Sequence, residues 1–86
     1  MEKYVFNSDF TINNSGKTDL VFTSQMEKIY VLQEIESIIV KSFEEPITID
    51  EAVGRIKTQF TPESFVLKEC LEFIDKIIDC NIIVNA

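Results

Sequence analysis

The chain has 86 residues, of which 45% are hydrophobic, and its 15 acidic and 8 basic side chains give a formal net charge of −7. This length predicts one domain of modest stability, because so short a chain buries little more than ~60% of its unfolded surface. The acidic excess argues against a nucleic-acid surface, which needs clustered Lys and Arg to displace counterions from phosphates.

The residue types that most often carry chemistry are scarce. The chain has no histidine and two cysteines, Cys70 and Cys80. These lie on and just after one predicted helix, about 15 Å apart, which is too far for a disulfide. The sequence therefore predicts no zinc site and no histidine-based nucleophile. It also has no Gly-rich phosphate loop and no nucleophile elbow, so we expect neither catalysis nor a cofactor.

The chain also lacks the sequence features of a membrane protein. No apolar run approaches the ~20 residues that span a bilayer, and no signal-peptide pattern opens the chain. We therefore expect a cytoplasmic protein with no membrane partner.

The first part of the chain is rich in β-forming residues. Turn formers at Asn13 to Gly16, and a short connection at Ser24 and Gln25, divide it into three strands. The short connection predicts that the second and third strands pair as an antiparallel hairpin. Three such strands make a small sheet with an open edge. The predicted strands are Tyr4–Ile12, Asp19–Ser24 and Lys28–Leu32.

Two helices are predicted next. Residues Gln33–Phe43 place their apolar side chains on one face, which is typical of an amphipathic helix. Thr48 and Glu51 have the spacing of a capping box, so a second helix should begin near Ile49.

The third predicted helix begins at Thr61 and Pro62 and runs to about Asp79, followed by a short extended piece, Ile82–Val84. It carries more apolar surface than one core contact needs. Either both of its apolar flanks pack in the core, or the second lines a groove for another molecule. The first flank contains Cys70, Phe73, Ile74 and Ile77, and the second contains Leu67, Leu71 and Ile78, with Lys68 and Asp75 close by.

This order of elements predicts an α+β fold of the winged helix-turn-helix type. A three-stranded antiparallel sheet is followed by three helices and a short C-terminal extended segment. No linker, repeat or low-complexity segment suggests a second domain.

Several segments resemble the PqqD-like family. ECLEFIDKIIDCNII, residues 69–83, resembles its C-terminal signature, in which an acidic and an apolar residue precede a Phe-Leu pair, a later Leu and a final Gly-Leu-Ile. ITIDEAVGRIKTQF is similar to the family's Thr-Val-Asp-Glu-Leu helix, and KIYVLQEIESIIVKSF to the strand that leads into the first helix. The resemblance covers about Asp19 to Val84. Asn81 replaces the usual glycine, and Gln33 with Glu34 replaces an Asn-containing turn.

The resemblance implies that residues 1–86 form one peptide-recognition domain for ribosomally made, post-translationally modified peptides. Such a domain binds the leader segment of a precursor peptide and delivers it to a maturation enzyme. That enzyme is of the radical-SAM, ATP-grasp, cyclodehydratase or lasso-forming protease and cyclase type. The leader adds as a strand to the open sheet edge, in the cleft between the third strand and the third helix.

On this hypothesis the binding residues fall into three groups. Backbone pairing is assigned to Lys28, Ile29, Tyr30 and Val31. The pocket walls are Leu67, Leu71 and Ile78. Lys68 would pair with an acidic leader residue and Asp75 with a basic one.

Two other functions are compatible with the same outline. A winged-helix DNA-binding transcriptional regulator would place the last long helix in the major groove, but that helix presents acidic residues to the phosphates. A protein-interaction adaptor would differ only in the peptide that fills the cleft. The acidic residues in question are Glu63, Glu69, Glu72, Asp75 and Asp79.

Overall fold

The computed structural model describes residues 1–25, 27–61 and 65–86. In these ranges the chain forms six strands and three helices. They are β1 (Lys3–Phe6), β2 (Phe10–Ser15), β3 (Thr18–Thr23), β4 (Ile29–Leu32), α1 (Glu34–Lys41), β5 (Ile47–Thr48), α2 (Ile49–Lys57), α3 (Leu67–Asp79) and β6 (Ile83–Asn85). The strands form two antiparallel three-stranded sheets, ordered β5-β1-β6 and β2-β3-β4. The predicted α+β class is confirmed, but with two small sheets.

The prediction of one strand over Tyr4–Ile12 is wrong. The side-chain oxygen of Asn7 accepts a hydrogen bond from the Asp9 N–H at 3.0 Å, and the backbone carbonyl of Asn7 accepts one from the Phe10 N–H at 3.0 Å. Asn favours such local turns because its side chain substitutes for a backbone partner. The turn separates β1 from β2, and β1 pairs instead with β5 and β6.

The predicted hairpin between the second and third pieces is confirmed as β3 and β4, which pair from Asp19↔Leu32 to Phe22↔Ile29. The turn before it lies later than predicted, because β2 continues to Ser15 and only Gly16 and Lys17 form the loop. Gly16 has a φ of +67°. Two-residue hairpin loops require such an angle, which glycine adopts without steric cost.

The helices begin close to the predicted positions, except for α3. Thr48 caps α2, because its Oγ1 accepts a hydrogen bond from the Glu51 N–H at 3.2 Å. The predicted start near Ile49 is confirmed. The predicted start of α3 falls partly on Pro62, which lies outside the described residues, and α3 itself begins at Leu67.

Asn81 ends α3 in the left-handed conformation expected at this position, with a φ of +62°. The Ile82 N–H donates to the Ile77 carbonyl at 2.9 Å, and the Asn81 N–H donates to the Ile78 carbonyl at 3.0 Å. This is the bond pattern of a Schellman motif, which pairs carbonyls that the helix end would otherwise leave free. The motif turns the chain from α3 into β6.

One core joins the helices to the inner faces of both sheets. Val21 and Leu32 are among the residues that the β2-β3-β4 sheet contributes to this core, and Ile74 and Ile77 are among those that α3 contributes. The other buried apolar residues are Phe10, Ile39, Val40, Phe43, Ile47, Ala52, Ile56, Cys70, Ile82 and Ile83. Among the described residues no helix is long and apolar enough to cross a bilayer.

A buried carboxylate fixes the β2-β3-β4 sheet to α1. Asp19 on β3 is only 5% exposed, accepts a hydrogen bond from Asn14 Nδ2 at 3.0 Å and lies 3.1 Å from Lys41 Nζ. The hydrogen bond from Asn14, followed by those from Lys41 and Ser37, holds the pKa of Asp19 below its usual value of 3.8. The charged form is therefore the one that the fold stabilises.

We expect Asp19→Asn to destabilise the fold at neutral pH and to reduce its sensitivity to acid. A carboxyl group whose pKa is lowered by folding contributes stability above its unfolded pKa, and that stability is lost as pH falls through the lower, folded pKa. The difference in urea stability between wild type and variant should therefore shrink as the pH falls below about 4, and it should vanish only below the lowered pKa of folded Asp19. Asp9→Asn, at an exposed position, is the control. Parallel pH profiles for wild type and Asp19→Asn would contradict this role.

Candidate functional site: the open edge of β4

β4 is an edge strand in the part of the chain that the structure describes. It pairs with β3 on one side, and no described strand pairs with it on the other. An unpaired edge carries backbone N–H and C=O groups that can bind another extended chain. The open side of β4 faces α3, and a cleft lies between them.

The pairing register shows which backbone groups point to the open side. The Thr23 N–H donates to the Lys28 carbonyl at 3.3 Å, so these opposed residues form a hydrogen-bonded pair. In an antiparallel ladder such pairs alternate along the strands, so Tyr30 and Leu32 also direct their N–H and C=O groups to β3. Ile29 and Val31 direct theirs to the open side.

The side chains of the same two residues are exposed. Ile29 and Val31 are 52% and 62% exposed, although both are large and apolar. On the outer face of the sheet they lie opposite the half-buried Phe22 and Leu20 of β3. The open edge therefore combines free backbone groups with an uncovered apolar surface.

The cleft beside this edge has a volume of about 220 Å³ and mostly apolar walls. Phe73 and Ile77 of α3, with Cys80 directly after the helix, form one side, and Tyr30 forms part of the other. A hydrogen bond with Cys80, then burial, raises the pKa of Tyr30 above its usual value of 10.0. The complete lining is Ile29, Tyr30, Val31, Leu32, Glu36, Phe73, Lys76, Ile77, Cys80 and Ile82.

Two charged side chains line the cleft, and only one of them already binds another group of the protein. Glu36 Oε1 accepts a hydrogen bond from the Gln33 N–H at 2.8 Å, so this carboxylate caps the start of α1. Lys76 is exposed and makes no ion pair with a described residue. The cleft thus offers one cation without a fixed partner.

The α3 residues predicted as pocket walls lie elsewhere. A helix turns by about 100° per residue, so Leu71 and Ile78 lie on the flank of the buried stripe opposite to Phe73 and Cys80. Leu67 lines a separate pocket together with Val53, Lys57, Phe60 and Phe65. The structure therefore brings the predicted strand residues next to α3, but against the flank that contains Phe73 and not against the flank that contains Leu71.

The predicted charged residues are also outside this cleft. Asp75 lies near Tyr4 of β1. The hydrogen bond with Glu2, then burial and the Glu2 charge, raise the pKa of Tyr4, and the Asp75 charge makes the smallest contribution. Lys68 is exposed on the first turn of α3 and is absent from the cleft lining. Lys28 keeps its place beside the edge, but its carbonyl is bound to Thr23.

Three residues of the cleft lining, Phe73, Lys76 and Cys80, were not predicted from the sequence. Helical periodicity identifies two flanks of α3 on either side of the Cys70, Ile74 and Ile77 stripe, but it contains no information on which flank faces a strand. That choice depends on how α3 packs across the core.

Comparison with protein-family models, with curated proteins and with solved structures finds no match to this chain. Within the described ranges, no group of three or more His, Cys, Asp or Glu side chains is placed to hold a metal ion.

Proposed function

We propose that this protein is a non-catalytic peptide-binding module that captures an extended segment by β-strand addition to the open edge of β4. The observation that carries this proposal is the juxtaposition of the free backbone groups of Ile29 and Val31 with the apolar cleft against α3. Strand addition takes its affinity from backbone hydrogen bonds and its specificity from pockets for alternate side chains. Both components are present at this edge.

The size of the cleft favours a peptide over a small molecule. Sites for drug-sized ligands and cofactors usually enclose about 300–1,000 Å³, whereas this cleft has about 220 Å³. That volume suits one or two side chains of a strand that runs along β4. The rest of the bound strand would lie on the surface, held by its backbone.

The peptide that we propose is the leader segment of a ribosomally synthesised precursor, and the partner is its maturation enzyme. The resemblance of residues 69–83 to the PqqD-like signature supports this choice, as does the position of the cleft between an edge strand and the last helix. In this proposal the sheet β2-β3-β4 with helices α1, α2 and α3 corresponds to a winged helix-turn-helix.

A DNA-binding role for α3 is disfavoured by charge. Glu69, Glu72, Asp75 and Asp79 are all exposed on this helix, and they would repel the phosphates of a duplex. A major-groove helix needs basic and amide side chains on its outward face.

Amide hydrogen exchange tests the proposal residue by residue. A display library of random linear peptides is selected on the protein, and the best binder is synthesised and added to saturation. The Ile29 and Val31 amides should exchange rapidly in the free protein and at least ~10-fold more slowly in the complex. The amides of Tyr30 and Leu32 should be protected in both states, because they are bonded to β3.

Three results would overturn the proposal. The selection could yield no binder, or its binders could leave the Ile29 and Val31 amides unprotected. The third is tight, salt-sensitive binding of a random DNA duplex in fluorescence anisotropy, which would favour the nucleic-acid function.

A further inference from the structure

We infer that the bound peptide carries an acidic side chain that faces into the cleft and pairs with Lys76, between two apolar side chains that face outward. This inference rests on the proposed function and specifies the class of peptide. It assigns Lys76 as a specificity-determining residue.

The edge geometry fixes the alternation of the peptide. In antiparallel pairing, the two peptide residues opposite Ile29 and Val31 form the hydrogen-bonded pairs, and they are separated by one residue. Opposed residues share a face of the sheet, so these two side chains lie beside Ile29 and Val31 on the outer face. The residue between them lies opposite Tyr30 and points inward, because successive side chains of a strand alternate.

The outward positions favour apolar residues. Each would extend a cross-strand row that already contains two apolar side chains, Phe22 with Ile29 or Leu20 with Val31. β-branched and aromatic side chains that lie opposite each other on neighbouring strands stabilise a sheet. Ile29 and Val31 would then lose much of their present exposure to water.

The inward position combines an apolar wall with a positive charge. The side chain enters a cleft bounded by Phe73, Ile77 and Cys80, and Lys76 is the cation that lines it. Glu36, the acidic group of the lining, accepts the Gln33 N–H and makes no ion pair with Lys76. A glutamate would bury its methylene groups against the wall and place its carboxylate beside the ammonium group.

Charge reversal tests this assignment. The random peptide library is selected in parallel on wild type, on Lys76→Glu and on Lys68→Glu. Lys68→Glu is the matched control, because it makes the same charge change on α3 at a position outside the cleft lining. Wild-type and Lys68→Glu binders should be enriched in Asp or Glu between two apolar residues, and Lys76→Glu binders should be enriched in Lys or Arg there.

A synthetic wild-type binder gives the magnitude. Replacing its central Glu with Gln should weaken binding to wild type by roughly three- to tenfold, as expected for a partly exposed ion pair assisted by a hydrogen bond. The same replacement should weaken binding to Lys76→Glu by less than about twofold. The effect on wild type should shrink when salt is raised, because screening weakens the pair.

The outcomes separate this inference from the proposed function. Binders that protect the Ile29 and Val31 amides but show no acidic preference would overturn the pairing with Lys76 and leave strand addition standing. The same acidic enrichment on Lys76→Glu as on wild type would have that consequence too. A selection without any binder at the β4 edge would overturn both.

Discussion

Val31→Pro should strongly weaken peptide binding while the protein remains folded. Proline removes the backbone N–H of Val31, which points to the open side of β4, and its ring occupies the space that the partner's carbonyl would take. The lost hydrogen bond contributes about 1 kcal/mol, and the steric conflict adds to it. We expect at least about a 30-fold loss of affinity by fluorescence polarisation with a selected peptide.

The fold should tolerate this substitution because Val31 makes no ladder bond to β3. Proline occurs on edge strands where its missing N–H faces solvent, and it requires an extended preceding residue, which Tyr30 already is. Val31 is also largely exposed, so little core packing is lost. The circular dichroism spectrum and thermal midpoint should stay close to those of wild type.

Two further variants control for this result. Val31→Thr keeps the N–H and a β-branched side chain, so it should weaken binding only slightly. Tyr30→Pro removes a bond to β3 and should destabilise the β2-β3-β4 sheet. If Val31→Pro binds peptide with wild-type affinity, strand addition at β4 is ruled out.

The sequence predicts local structure well where a single interaction controls it. The Thr48 cap of α2, the β3–β4 hairpin and the left-handed Asn81 all depend on a few neighbouring residues. The split between β1 and β2 was missed because Tyr4–Ile12 has uniform β propensity, and a single side-chain hydrogen bond from Asp9 to Asn7 interrupts it. Propensity averaged over a segment does not detect such a turn.

The site was predicted in part because its two sides depend on different information. The open edge at Ile29 and Val31 follows from strand order, which the sequence indicates through short hairpin connections. The α3 side depends on the rotation of that helix about its own axis. Leu71 and Phe73 are both apolar, so their residue types do not reveal which of them faces β4.

A paired substitution on α3 decides which flank binds the peptide. Phe73→Ala should weaken peptide binding by at least about tenfold, because it removes an aromatic wall of the cleft, and buried aromatic anchors dominate such interfaces. Leu71→Ala should change affinity by less than about twofold, although Leu71 is a large apolar residue on the same helix and 39% exposed. Both affinities are measured by fluorescence polarisation with one selected peptide.

Stability must be separated from binding in this comparison, because Phe73 also packs against the core. Each variant is therefore titrated under conditions in which circular dichroism shows it to be fully folded. Phe73→Leu keeps most of the apolar wall and should bind with intermediate affinity, which a general loss of folding would not produce.

If Leu71→Ala loses binding while Phe73→Ala retains it, the peptide lies on the flank of α3 that contains Leu67 and Ile78, and the cleft beside β4 is not the site. Equal losses in both variants would instead indicate that α3 acts through the core and makes no direct contact with the peptide.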